Sequence, residues 1–125
     1  MRIVWAAVAA AALGLAPLAA FSASSPRVLV EASCFPNPFD SRRANATLHW
    51  TLADDAPVEV AVHTVYGARV WARAFPAGTA GGRAGVNETA WDGADDTGHK
   101  LAKGVYLLVL RAAGERAVVK VGVRH

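Results

Sequence analysis

A single cysteine, Cys34, stands in 125 residues, so no disulfide can form within the chain and its core must hold the fold. Basic residues are thinly placed. Arg42-Arg43 is the one adjacent pair, and no basic stripe interleaved with aromatics runs along the chain. Nucleic acid is excluded as a partner on that ground, because a binding groove needs clustered cations to displace counterions. A catalytic constellation is missing as well: His49 and His63 fall at outward strand positions, His99 in a loop and His125 at the end, none grouped with an acid and a nucleophile. Asp54-Asp55 and Asp95-Asp96 are paired carboxylates, but both lie in turns, where Asp accepts from loop amides. The reading is a non-enzyme without a cofactor.

Apolar residues make up 54% of the chain, more than a small core needs, and much of the excess lies in front. Met1-Arg2 gives a positive start, Ile3 to Ala20 is an uncharged Ala-rich run, and small residues follow Pro17. This is the layout of a secretory signal peptide, cut after Ser22, where Ala20-Phe21-Ser22 places small residues at the two positions a signal peptidase reads. The alternative is an uncleaved anchor, which would be the chain's only membrane attachment. Alanine is weakly apolar and Gly14 and Pro17 interrupt the run, which favours cleavage. Loss of the leader removes one cation, Arg2, and lowers the net charge from +3 to +2. Residues 1–22 are thus expected to be a signal peptide, 23–33 a linker and first strand, and 34–125 the folded domain, in the periplasm or outside the cell. Cys34 lies well beyond the apolar run behind Glu31-Ala32-Ser33, which is no lipobox. It is expected as a small packed residue at a strand end, with pairing between chains as the lesser alternative.

The remainder alternates with period two. Arg27 to Ser33 sets Val28, Val30 and Ala32 against Leu29, Glu31 and Ser33 as a first strand. Phe35-Pro36-Asn37-Pro38-Phe39 has two prolines that cannot donate to a ladder, so it reads as a turn clamped by two aromatics. Ala46 to Leu52 puts Leu48, Trp50 and Leu52 on one face, and Val58, Val60 and Val62 line the next strand. Gly67 sits in a hairpin connection leading to Arg69 to Phe75. Pro76 to Gly85, with four glycines and a proline, reads as a flexible loop, before Val86 to Trp91 returns to extended chain. Val105 to Ala112 is a core strand, Gly114-Glu115 a tight turn, and Val119, Val121 and Val123 line a last strand. Seven such strands, without a helical period outside the leader, predict an all-β fold: an immunoglobulin-like β-sandwich of antiparallel strands without the antibody disulfide.

The organising stretch runs from Trp91 to Tyr106. Gly93, Gly98 and Gly104 offer positive φ, and Asp92, Asp95, Asp96 and Thr97 can bond their own loop amides. The spaced set Phe35-Pro36-Asn37-Pro38-Phe39, Trp91-Asp92-Gly93, Gly98 and Gly104-Val105-Tyr106, with Trp50 and Gly67 between, resembles the FlgD Ig-like family. It equally resembles the related carboxy-terminal sorting modules of type IX secretion. The resemblance covers about Cys34 to Val123 and implies a hook-cap domain, a secretion tag or a structural appendage. Where that family commonly ends a strand in Tyr-Asp, this chain has His63-Thr64.

Three further sites are weighed. Asp92, Asp95 and Asp96 could offer hard oxygens to calcium, but they lack the EF-hand order and a bidentate Glu, which favours turn stabilisation. Trp71 and Phe75 could form a sugar platform or pack on the core, and packing is favoured. Asn45-Ala46-Thr47 and Asn87-Glu88-Thr89 match the glycosylation pattern, and neither is expected to be used in a bacterial module. The expected role is a small exported binding or assembly module with a protein partner in the envelope or secretion machinery. A sorting domain, and a calcium-dependent or carbohydrate-binding module, are the alternatives. The eleven residues Ala23 to Ser33 are too few for a folded passenger, which favours partner binding, with sheet edges and the Pro76 to Gly85 loop as contact surfaces.

Overall fold

The structure, a computed structural model, describes residues 27–124. The expected signal peptide lies outside the described residues. Among those described there is no helix, and hence none long and apolar enough to cross a membrane. Eight strands form: β1 (Leu29–Phe35), β2 (Phe39–Asp40), β3 (Ala46–Leu52), β4 (Val58–Thr64), β5 (Arg69–Phe75), β6 (Gly85–Trp91), β7 (Gly104–Ala112) and β8 (Glu115–Arg124). They make a three-stranded sheet, β1-β3-β6, and a five-stranded sheet, β2-β8-β7-β4-β5. The two inner faces meet in one core holding Trp50, Trp91, Phe39, Leu48, Leu108 and Leu110, all essentially solvent-free. The Ig-like sandwich expected from the alternation is the fold.

Several details differ. The eighth strand, β2, pairs parallel with β8 through Phe39↔Val123 and Asp40↔Arg124, so the sandwich is not wholly antiparallel. Its cause is the proline turn. Pro36 and Pro38 end the β1 ladder, and Asn37 then clasps β8 by donating from Nδ2 to the Lys120 carbonyl (2.7 Å) and accepting from the Gly122 amide (2.9 Å). The chain crosses there from one sheet to the other and drops Phe39 into the core. Only one of the two expected aromatic clamps exists: Phe39 is 1% exposed, but Phe35 is 62% exposed on the outer face.

β1 also departs from simple alternation. A bulge between Leu29 and Glu31 resets its phase, so Leu29 and Cys34 are buried while Val30 points outward. The strand runs across the 33/34 boundary expected for the domain, and its pairing with β3 makes residues before Cys34 part of the sandwich. Burial pushes the Cys34 thiol up to about 11, which leaves it protonated and unreactive at neutral pH. The last strand begins at Glu115, not near Val119. Ala113 and Gly114 both take positive φ (50° and 78°), which gives a two-residue turn whose twist lets the ladder start at once from Ala112↔Glu115. In the β4–β5 hairpin Gly67 has φ 96°, and Thr64 Oγ1 accepts from the amides of Tyr66 and Ala68. Thr64 thereby supplies a side-chain acceptor for the turn.

Glu115 ties the two ends of the described chain together. Its carboxylate accepts from the Val28 amide (2.9 Å) and the Leu29 amide (3.0 Å), and those bonds, with the nearby Arg27 charge, hold it below the ordinary carboxylate value of 4.5. A carboxylate with a depressed folded-state pKa stabilises the fold above its unfolded value and loses that contribution as pH falls through the lowered one. Hydrogen-exchange protection of the Val28 and Leu29 amides should therefore fall before that of the β7–β8 ladder on acidification below the ordinary Glu range. Glu115→Gln should show the same selective loss at neutral pH. Unchanged protection in both would rule out the carboxylate as the anchor.

Candidate functional site

The loop after β6 is built on Trp91, and its acidic residues face separate tasks. Trp91 Nε1 donates to the Ala94 carbonyl (3.0 Å), while Asp92 Oδ1 accepts from the Ala94 amide (3.1 Å). Gly93 is required between them: its φ is 80°, and a Cβ there would come 2.5 Å from Ser41 Cβ. Asp95 Oδ1 gathers the Thr97 hydroxyl (2.7 Å), the Thr97 amide and the His99 amide. The Thr97 hydroxyl bond and then the backbone amides hold its carboxyl below the usual carboxylate range. Asp96 turns away to Arg73 Nη1 (2.9 Å). Tyr106 closes the loop through its hydroxyl, which donates to the Ala102 carbonyl (2.7 Å).

Asp92, Asp95 and Asp96 thus do not converge, and among the described residues no three His, Cys, Asp or Glu side chains are grouped to hold a metal ion. Thermal melts with and without a calcium chelator should coincide. A higher melting temperature with calcium would restore the site, because a ligand bound only to the folded state stabilises it.

The histidines are dispersed. His49 Nε2 meets Glu88 Oε2 at 2.8 Å across β3 and β6, with Ser33 in the same cross-strand row on β1. His99 Nδ1 contacts the Thr97 hydroxyl and His63 Nδ1 the Gly67 carbonyl. Trp71 and Phe75 form no sugar platform: Trp71 is 4% exposed and packs on Trp91, and Phe75 lies on Trp50 with ring centroids 5.6 Å apart.

The loop from Pro76 to Gly85 is ordered, contrary to the flexibility its glycines suggest. Asn87, buried on β6, is the organiser: its Oδ1 accepts from the Gly81 amide and, at longer range, the Arg83 amide, and its Nδ2 donates to the Arg83 and Gly85 carbonyls. Trp50 Nε1 donates to the Gly81 carbonyl (2.9 Å), and Asp55 Oδ1 accepts from the Ala84 amide. Glycine's freedom is used here to pass the chain close to Phe75 and Pro76, where a Cβ on Gly81 or Gly82 would lie within 2.5 Å of other atoms. Asn87 therefore cannot serve as a glycan acceptor in the folded protein. Its role was invisible in sequence because a sequon and a loop-forming Asn look the same.

Surfaces for a partner are of two kinds. The first is the sheet edges. β5 is the outer strand of its sheet, and two of its carbonyls have partners beyond the ladder: the Asp96 amide donates to the Val70 carbonyl and Arg73 Nη1 to the Ala72 carbonyl. Arg73 is itself held over the Trp71 ring, 4.7 Å from the centroid. The second is a cleft of about 590 Å³ between the β7–β8 turn and the adjoining ends of β4 and β5. Its walls are Pro57, Ala74, Phe75, Pro76, Ala112 and Ala113, and Arg111 and Arg116 stand at its rim beside Glu59.

No family model matches the sequence, and no curated protein matches it. Solved structures do. PorZ of Porphyromonas gingivalis, described as an essential bacterial surface component of its type IX secretion system, superposes with a TM-score of 0.52 at 14% identity over 75% of this chain. Dimeric latent PorU of the same organism gives 0.59 at 24% identity over 80%, and FlgD of P. aeruginosa gives 0.53 at 20% over 79%. This chain spans 76% of the FlgD chain, but only 11% of PorZ and 10% of PorU. At these identities the likeness is one of fold: the chain is an Ig-like β-sandwich of the kind found in FlgD, PorZ and PorU.

Proposed function

We propose that the chain is a small exported, non-enzymatic Ig-like module that binds or assembles with a protein partner in the bacterial envelope or extracellular space. The observation that carries this reading is where the exposed apolar residues lie. Phe35 and Val86 stand on the outer face of β1-β3-β6, and Val105 and Val118 on that of β2-β8-β7-β4-β5, all about half or more exposed. Apolar side chains left on both flat faces of a small sandwich suit contact with another protein. Asp92 and Asp95 are meanwhile engaged with loop amides, Asp96 with Arg73, and His49 with Glu88. The leader expected at residues 1–22 supports export, and with few clustered cations nucleic acid is not a partner.

Two experiments test it. Fractionation of the native host should place the protein outside the cytoplasm without residues 1–22, and recovery from the cytosol with the leader intact would refute export. A photo-crosslinker at position 118 or 86 should trap a specific protein in those cells, and absence of any adduct at both positions would refute the binding role. A second reading, a type IX sorting domain, is favoured by the likeness to PorZ. Fusing residues 27–125, so that β1 is complete, to a reporter decides it: export dependent on type IX secretion establishes the tag, and retention rejects it.

A further inference from the structure

The two outer faces of the sandwich carry opposite charge. On β1-β3-β6 the outward residues fall in cross-strand rows: Phe35 with Thr47 and Ala90, Ser33 with His49 and Glu88, and Glu31 with Thr51 and Val86. Glu31 and Glu88 are the carboxylates of these rows, and no Lys or Arg stands in them. The outer face of β2-β8-β7-β4-β5 is cationic. Arg116, Arg111, Glu59 and Ala74 make one row there, and Lys120, Leu107, His63 and Arg69 make another. Between those two runs an apolar row of Val118, Val109, Ala61 and Ala72. With His63 neutral, four cations against one carboxylate give 4 − 1 = +3 on these rows, where the opposite face holds two negative charges.

The cationic face does not satisfy itself. Arg111 stands directly opposite Arg116, a like-charge pair that destabilises a sheet unless a counter-charge shields it. Among the described residues none of Arg69, Arg111, Arg116 and Lys120 takes part in an ion pair. The two charged rows lie four residues apart along each strand, on the order of 13 Å. Glu31 and Glu88, two strands and one row apart, are separated by a similar distance, on the order of 12 Å, so both can reach cations in one contact. Each face also leaves apolar surface in water, Phe35 and Val86 on one and Val118 on the other. The faces lie on opposite sides of one sandwich, so only a second molecule can bring them together. We propose that copies of this chain stack face to back, the Glu31 and Glu88 face of one on the Arg116, Val118 and Lys120 face of the next. Such a contact joins different surfaces and leaves one of each free, so it repeats as an open stack and does not close as a dimer. A three-stranded face is smaller than the patch a permanent complex buries, which makes the stack reversible and dependent on concentration. The inference rests on the binding role proposed above and names the partner as a second copy.

The test is sedimentation of the purified protein over a concentration series, with amide-resolved NMR alongside. At low salt the average mass should climb with concentration without levelling at a dimer, and amide shifts should move on both faces together, around Glu88 and around Val118. Raising the salt to about 0.5 M should weaken association at least about tenfold, because exposed charges are then screened. Glu31→Lys/Glu88→Lys and Arg116→Glu/Lys120→Glu change exposed side chains only. Each pair should lower the association constant at least about tenfold, the scale of two exposed ion pairs turned to repulsion. All four substitutions in one chain should restore association, since the faces complement each other again. Loss with only one of the two pairs, or shifts on one face alone, would mean that like faces meet and would overturn the proposal. So would a monomer at every concentration, and both the mass and the shift pattern are read on the unaltered chain. If the protein stays monomeric but position 118 or 86 crosslinks a different protein in cells, the second-copy assignment fails and the binding role stands; if neither occurs, both are rejected.

Discussion

Trp91→Ala should lower the unfolding free energy by about 3–5 kcal/mol, the range for removing a fully buried large aromatic. Trp91 is 1% exposed, and its ring sits between Phe39 (5.6 Å) and Trp71 (6.0 Å), so alanine leaves a cavity that two rigid aromatics cannot fill by a small shift. The substitution also removes the donor to the Ala94 carbonyl, at the point where the loop after β6 turns. Against a typical domain stability of about 5–15 kcal/mol, much of the folded population is at risk. Urea denaturation measures the loss, and Trp91→Phe, which keeps most of the volume, should cost clearly less. A loss below about 1 kcal/mol for the alanine variant would contradict the packing described.

Asn87→Ala is expected to be nearly as damaging, at about 2–4 kcal/mol, although it removes only a small polar side chain. The amide serves both sides of the Pro76 to Gly85 loop, and alanine would strand the buried Gly81 N–H as well as the Arg83 and Gly85 carbonyls. Leaving a buried donor unsatisfied costs about 1–3 kcal/mol, and the turn that these bonds shape would loosen with it. Because Gly81 also accepts from Trp50, the Trp50 indole N–H resonance should shift along with the stability loss. A stable variant with an unshifted indole signal would show that the glycine turns hold the loop without Asn87.

The contrast between these two residues shows what the chain made legible. Trp91, Trp50 and the valines of β4 announce themselves by period two, because a half-buried strand must place its large apolar residues on one side. The same logic failed at β1, where a bulge shifts the phase and a single exposed valine looks no different from a buried one. It missed β2 altogether, since two residues carry no period and their pairing depends on Asn37 reaching a strand more than eighty residues away. The glycine-rich loop was misread as flexible because the residue that fixes it lies beyond its end, on β6. Local composition reports backbone freedom but not the distant partner that removes it. The cleft was illegible for a related reason: Arg111 and Arg116 become neighbours only through the tight Ala113-Gly114 turn, which brings Glu115 and Arg116 back beside the end of β7.

The clasp between Asn37 and β8, with the Glu115 bonds to Val28 and Leu29, sets an order on assembly. Both join residues 28–37 to residues 115–122, so the first strand gains its anchors only after almost the whole chain is present. Contacts of such long sequence separation form late, because the loop they close must be ordered first. A chain emerging amino-terminus first from a ribosome therefore carries β1 without these two anchors until β8 has followed. The closing step then waits for the carboxy-terminal strand.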